Sequence, residues 1–157
     1  MNARTAPANL APFGEDYGPL LTGVYAPVMN ELELKDLKLI KGSIPKNLNG
    51  VYLRAGPNVR YAPNGRYHPF DGDGMVHRLN INAKGISHRS QFVATEKYLR
   101  EESAQAFLYN ATGTPIPNAR APRNNDSINV ANTALLPWQD ELLALWEGGS
   151  AYSLNPE

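Results

Sequence analysis

A chain of 157 residues with 42% hydrophobic side chains carries enough apolar material to bury a core and is no disordered tail. Fifteen basic residues balance fifteen acidic ones, so the basic footprint that a phosphate backbone demands is absent and nucleic acid is excluded as an expected partner. The lack of cysteine excludes disulfides, thiolate metal ligands and a cysteine nucleophile.

Residues 1–20 read as an arm crossing the surface, because Pro7, Asn9, Pro12, Gly14 and Pro19 interrupt any period. Met1 to Pro12 holds one basic side chain, Arg4, and no continuous apolar run, so it is not expected to be a secretory signal. No stretch approaches the ~20 apolar residues of a membrane span. The expectation is a soluble, cytoplasmic protein, with peripheral membrane contact left open.

Thirteen glycines and thirteen prolines fall between short apolar runs, the punctuation of a β-rich chain. A strand is predicted over Gly50 to Arg54, ended by Gly56-Pro57-Asn58, since proline cannot donate to a central ladder. Met75 to Ile81 and Ile86 to Val93 flank the loop Asn82-Ala83-Lys84-Gly85 and form the clearest hairpin. Thr95 to Phe107 is the one predicted helix, with Thr95 as its cap. Leu108 to Arg123 is too rich in Pro, Gly and Asn for regular structure, and so long an insertion points to function. Strands resume over Ile128 to Leu136, Glu141 to Trp146 and Ser150 to Leu154, separated by Pro137-Trp138-Gln139-Asp140 and Gly148-Gly149. Three short strands so close together suggest a blade.

Asp71-Gly72-Asp73-Gly74 looks like the start of a calcium loop, but an EF-hand needs an oxygen ligand and then glycine where this chain has Met75 and Val76. A tight acidic turn feeding a strand, each carboxylate satisfying nearby backbone N–H groups, is the better reading. If the hairpin turns at Ala83-Lys84, Leu79 pairs with His88, which puts His77 and His88 diagonally on one face within about 8 Å. Two imidazoles make no metal site, and His68, His77 and His88 are each expected to be structural. Asn110-Ala111-Thr112 and Asn125-Asp126-Ser127 match the glycosylation pattern, a chance match in a chain without a signal peptide. No Gly-rich phosphate loop, Gly-x-Ser-x-Gly elbow or His-Glu-x-x-His motif occurs.

Phe70-Asp71-Gly72-Asp73-Gly74-Met75-Val76-His77, shortly after Leu53-Arg54-Ala55-Gly56-Pro57-Asn58, resembles the opening of the carotenoid cleavage oxygenase family. Further blocks follow the same order: Val24-Tyr25-Ala26-Pro27-Val28, Gly42-Ser43-Ile44-Pro45, Asn49 to Arg54, Ala131-Asn132-Thr133, and Leu143 to Gly149. Several separated blocks in sequence are more specific than any one motif. The resemblance implies an all-β fold in which residues 21–157 supply two to three blades of a seven-bladed β-propeller, with one short helix and a long loop. At roughly 40–50 residues per blade, a ring needs about 280–350 residues, so this chain does not close it.

The family's chemistry is carried by Fe(II) on four histidines, and the resemblance places those ligands beyond residue 157. It implies a non-haem dioxygenase that adds O₂ across one C=C bond of an apocarotenoid-like polyene, with the 157-residue chain by itself inactive. Glu147, at the end of the Leu143-x-Leu145-x-Glu147 pattern, matches a glutamate that stands behind an iron-bound histidine and accepts its far N–H, which fixes the tautomer. An ordinary exposed glutamate is the competing reading. Stilbene-cleaving members have lysine just before that glutamate, whereas this chain has Trp146, a tunnel wall suited to a polyene or else a core tryptophan. Phe70 is expected to face the same tunnel. Phe107, Leu108, Tyr109 and Ile116 are either a membrane-dipping patch at the tunnel mouth or a shielded loop core. The alternatives in function are a stilbene-cleaving member of the family and a non-catalytic β-module that binds an apolar ligand or a partner.

Overall fold

Alternating apolar and polar residues in Gly74–Asn82 and Gly85–Phe92 place Met75, Leu79 and Phe92 on one face and Val76, Arg78 and Gln91 on the other, the signature of strands that pack on two sides. The computed structural model describes residues 18–155, and the arm predicted over residues 1–20 lies outside them except for its last three positions. The strands are β1 (Leu32–Leu34), β2 (Gly50–Pro57), β3 (Gly74–Asn82), β4 (Gly85–Phe92), β5 (Ala134–Trp138), β6 (Glu141–Leu145) and β7 (Tyr152–Leu154). One helix, α1 (Glu96–Ala104), follows β4. They form two antiparallel sheets of blade size, one in the order β1-β4-β3-β2 and one in the order β5-β6-β7.

The predicted hairpin is β3–β4, turning at Ala83-Lys84 and pairing Leu79 with His88. The predicted Gly50–Arg54 strand runs on through Pro57, which pairs with Gly74. A proline is tolerated there because β2 is an edge strand and Pro57 is its last residue. The short strand β1 is one that the sequence does not announce, and it lies along β4 with Leu34 opposite His88. Regular structure begins later than predicted after the long loop. Asn124 and Ser127 cap each other reciprocally and close a 3-10 turn over Asn125–Ile128 instead of opening a strand. β5 continues through Pro137 and Trp138, and the turn is narrowed to Gln139-Asp140, with Gln139 at a φ of 53°.

The two sheets meet through Val93, Ala131 and Ala144, with Val76, Leu135, Tyr152 and Leu154 packed around them. Gly74 makes this approach possible. Its N–H donates to the Val130 carbonyl at 2.7 Å, and a Cβ there would lie 2.6 Å from the same oxygen. A cleft of about 220 Å³ remains between the sheets, lined by Leu53, Val76, Leu142 and Leu154.

Helix α1 begins where predicted, the Thr95 hydroxyl accepting from Tyr98 N–H at 3.1 Å. It ends three residues before the predicted Phe107 because Gln105 turns left-handed, at a φ of 54°. Its buried face is charged. Lys97 and Glu101, one turn apart, form an ion pair of 2.7 Å, and Lys97 also reaches Asp73 at 2.8 Å, with all three side chains about 1% exposed. The remaining acceptors are used as well: Glu101 takes Leu108 N–H and Asp73 takes Arg60 N–H. Burial, opposed by Lys97 and reinforced by Asp73, pushes the Glu101 carboxyl up to about 7. Phe107 seats against the Lys97 ammonium at 4.8 Å and joins a cluster with Leu21, Val59, Tyr61 and Tyr67.

That cluster decides between the two readings of Phe107, Leu108, Tyr109 and Ile116. The first three are 7%, 9% and 3% exposed and Ile116 packs against the same core, so they are a loop core and not a membrane-facing patch. Among the described residues, no helix is long and apolar enough to cross a membrane.

Candidate functional site

A pocket of about 610 Å³ opens where the end of β2, the turn after His68, the long loop and the segment after β6 come together. Phe70, Trp146 and Glu147 all line it, so the structure brings the three sequence-predicted residues to one place. Phe70 stands in a 3-10 turn over Pro69–Asp71 and is 76% exposed, an aromatic face offered to the pocket and not to the core. Trp146 is half-buried, its ring lying over Gly148. Glu147 follows β6 by two residues, is exposed, and accepts a hydrogen bond from the Thr133 hydroxyl at 2.9 Å. An exposed ring, an indole and a carboxylate fixed by a neighbouring hydroxyl form one wall of a pocket whose other sides carry Arg54, Arg66, His68 and Asp71.

The carboxylates of the acidic turn are engaged by protein donors. Asp71 Oδ2 accepts from Gly113 N–H at 2.9 Å and from the Thr114 hydroxyl at 2.8 Å, while Asp73 is held by Lys97 and Arg60 N–H. Both carboxylates are thus occupied by protein donors, but the expectation of nearby backbone N–H groups is corrected: the donors come from distant segments, and two of them are the side chains of Thr114 and Lys97. Gly113 packs directly on the imidazole of His68, where a Cβ would lie 2.5 Å from the His68 Cβ. Burial, with Asp73 and Asp71 adding to it, pushes the Tyr67 phenol upward, so it stays a neutral donor and bonds the Pro69 carbonyl.

The histidines do not converge. His68 caps the 3-10 turn, its Nδ1 accepting from Phe70 N–H at 3.2 Å, which leaves the ring proton on Nε2. His77 and His88 meet across β3–β4, Nδ1 to Nε2, at 3.1 Å. Their rings are parallel to within 2° and their centroids are 5.4 Å apart, the spacing of two imidazoles joined end to end by one N–H···N bond. The one lone pair between the rings is taken up by the N–H that faces it, so the two nitrogens do not converge on a common ion. Among the described residues, no group of three or more His, Asp or Glu side chains is placed to hold a metal.

Burial, the adjoining His88 and the Arg54 guanidinium hold the His77 imidazolium below its ordinary value of 6.5. The unfolded chain therefore binds a proton below pH 6.5 that the native state refuses, and stability falls as the pH drops through that point. The melting temperature is expected to decrease between about pH 7.5 and about pH 5.5, and His77→Gln to flatten the decrease. A scan with equal slopes for the two proteins would rule this out.

Sequence reasoning assigns no role to Asn132, Thr133, Thr114 or Arg66, though all four belong to the pocket or its frame. Asn132-Thr133 lies in one of the family-like blocks, and that membership is the signal by which the pair could have been found. Thr114 carries no signal beyond its place in the long loop.

Three comparisons bear on this pocket. The family model described as "Retinal pigment epithelial membrane protein" matches residues 25–157. The chain is 39% identical over 117 residues to the "Probable carotenoid cleavage dioxygenase 4, chloroplastic" of Arabidopsis thaliana, covering 74% of this chain and 18% of that protein. It is 37% identical over 122 residues to the "Apocarotenoid-15,15'-oxygenase" of a Synechocystis strain, covering 74% of this chain and 25% of that one. The crystal structure of Pseudomonas brassicacearum lignostilbene dioxygenase superposes with a TM-score of 0.76 at 28% identity, over 89% of this chain and 29% of that chain. The chain thus spans about a fifth to a quarter of the curated relatives, and its two sheets are N-terminal blades of a seven-bladed propeller.

Proposed function

Because this chain belongs to the retinal pigment epithelial membrane protein family, with the carotenoid cleavage dioxygenases among its relatives, we propose that it is the N-terminal part of an Fe(II)-dependent dioxygenase that cleaves one C=C bond of an apocarotenoid-like polyene. One oxygen atom of O₂ goes to each carbon of the broken double bond, giving two carbonyl products with no other reductant. The observation that carries the reading is the convergence of Phe70, Trp146 and Glu147 on one pocket.

The described histidines do not supply a donor set for Fe(II), as the end-to-end His77–His88 pair and the capping His68 show. On this reading the iron ligands come from sequence beyond residue 157, as the family resemblance implies. Iron supplies the O₂ chemistry. The residues of this chain shape the pocket: Phe70 and Trp146 exclude water and lie along a flat, apolar conjugated chain. Glu147, fixed by Thr133, presents its carboxylate as the acceptor for the far N–H of a ligating imidazole. The likeness to a lignostilbene dioxygenase favours a stilbene as the second reading. Trp146 argues against it, because a phenol oxygen needs a polar partner that an indole face does not give.

The test is an assay of the full-length, iron-loaded enzyme with an apocarotenal and with a 4-hydroxystilbene, using ¹⁸O₂. Cleavage of the apocarotenal with label in both carbonyls is expected. Turnover of the stilbene alone would overturn the polyene reading, and binding without turnover of either would make the chain part of a binding module. Residues 1–157 alone are expected to take up no stoichiometric iron and to cleave neither compound.

A further inference from the structure

We propose that Asn132 and the Asp71–Thr114 pair are positioning residues that hold Phe70 and the loop wall at a fixed distance from Glu147, and thereby set which double bond of the substrate is presented. This rests on the reading of the pocket as the polyene site. At 76% exposure Phe70 packs only edge-to-face on the His68 ring, with centroids 5.0 Å apart, so its place depends on how its backbone is held. Asn132, only 6% exposed, spends both amide hydrogens on that backbone, donating to the Phe70 carbonyl at 2.8 Å and to the Gly72 carbonyl at 2.7 Å. The next residue, Thr133, donates to Glu147. One dipeptide at the entry to β5 therefore ties down both the aromatic wall and the anionic acceptor, so their separation is set by a single rigid piece of chain.

The other side of the turn is anchored through a relay. His68 N–H donates to Thr114 Oγ1 at 2.9 Å, and the Thr114 hydroxyl donates to Asp71 Oδ2 at 2.8 Å, which also takes Gly113 N–H. Thr114 is fully buried and Asp71 is 6% exposed, so no water competes for these bonds. The relay presses Gly113 onto the His68 ring and makes the long loop a wall of the pocket, with Thr112 and Gly113 facing into it. Its length is thus explained by an anchor at its middle and not by mobility.

The test uses the full-length, iron-loaded enzyme. Asn132→Asp keeps the shape and removes both donors. Thr114→Val keeps the shape and breaks the relay, and Thr114→Ser keeps the hydroxyl as the rescue. Asn132→Asp and Thr114→Val are expected to bind iron as the wild type does, to raise KM about tenfold and to release a second pair of carbonyl products from a shifted cleavage position, while Thr114→Ser behaves as wild type. Unchanged KM and a single product pair in both variants would overturn the proposal. If Asn132→Asp fails to fold, the Thr114 pair decides alone. If the wild type itself cleaves no polyene, the enzyme reading fails and the positioning claim is still read by hydrogen exchange. The His68 and Gly113 amides should exchange about tenfold faster in Thr114→Val, but not in Thr114→Ser, with β3 unaffected. Equal exchange in all three proteins would refute it.

Discussion

Glu147→Gln in the full-length enzyme is expected to lower iron occupancy and turnover about 10–100-fold. Gln keeps the size of the side chain and its bond from Thr133, which needs only an acceptor oxygen. On the proposed reading, what it loses is the charge behind an iron-bound imidazole, which would make that ring a weaker donor to the metal and its tautomer less firmly set. Glu141, at the start of β6, is the control: it is also an exposed glutamate held by one hydroxyl, that of Ser153 at 3.0 Å, but it lies outside the pocket. Glu141→Gln is expected to leave iron content and turnover unchanged and to shift stability by no more than about 0.5 kcal/mol. Metal analysis and initial rates on both variants settle the matter. Wild-type iron content and rate in Glu147→Gln would reduce Glu147 to a surface side chain.

The largest loss of stability is expected from Lys97→Met, at about 3–5 kcal/mol. Removing the ammonium leaves Asp73 and Glu101 facing each other at about 1% exposure, and methionine offers neither of them a donor. Uptake of one proton relieves part of the repulsion but not the burial of the charge that remains. Replacing all three residues by apolar ones would not rescue the site, because Leu108 N–H and Arg60 N–H would then be buried without acceptors. Arg100→Met is the comparison on the same helix. Its pair with Glu96 is partly exposed, at 38% and 29%, and Arg123 also reaches Glu96, so a loss of no more than about 1 kcal/mol is expected. Melting temperatures of the two variants within about 2 °C of each other would show that the triad is not needed for the fold.

The parts of the fold that sequence makes legible are those governed by local rules. The β3–β4 hairpin is read from alternation and a short turn, and the register follows from that turn alone, down to the Leu79–His88 pair. Thr95 is legible as a cap because a cap acts on its own next turn. The misplacements have the opposite character. Nothing local marks Leu32–Leu34 as a strand, since its partner lies beyond two other strands. The Asp71-Gly72-Asp73-Gly74 turn is legible as acidic and structural, but its donors at Gly113, Thr114 and Lys97 are set by tertiary packing. In the pocket, Phe70, Trp146 and Glu147 are found through the family resemblance, whereas Asn132, which holds Phe70 in place, acts through carbonyls that no side-chain pattern reveals.

The placement of β1 also constrains the order in which the chain acquires structure. Leu32 N–H bonds the Ser90 hydroxyl, a partner 58 residues later. At a synthesis rate of about 5–20 residues per second, that partner leaves the ribosome roughly 3–12 s after β1 does. Through that interval the segment is an unpaired strand, open to any other nascent chain. Its defence is its brevity and the charges around it: three residues, Glu33 at the centre, and Lys35 with Asp36 directly after. A longer apolar run would secure the sheet more firmly once folded and leave the nascent chain prone to aggregation until then.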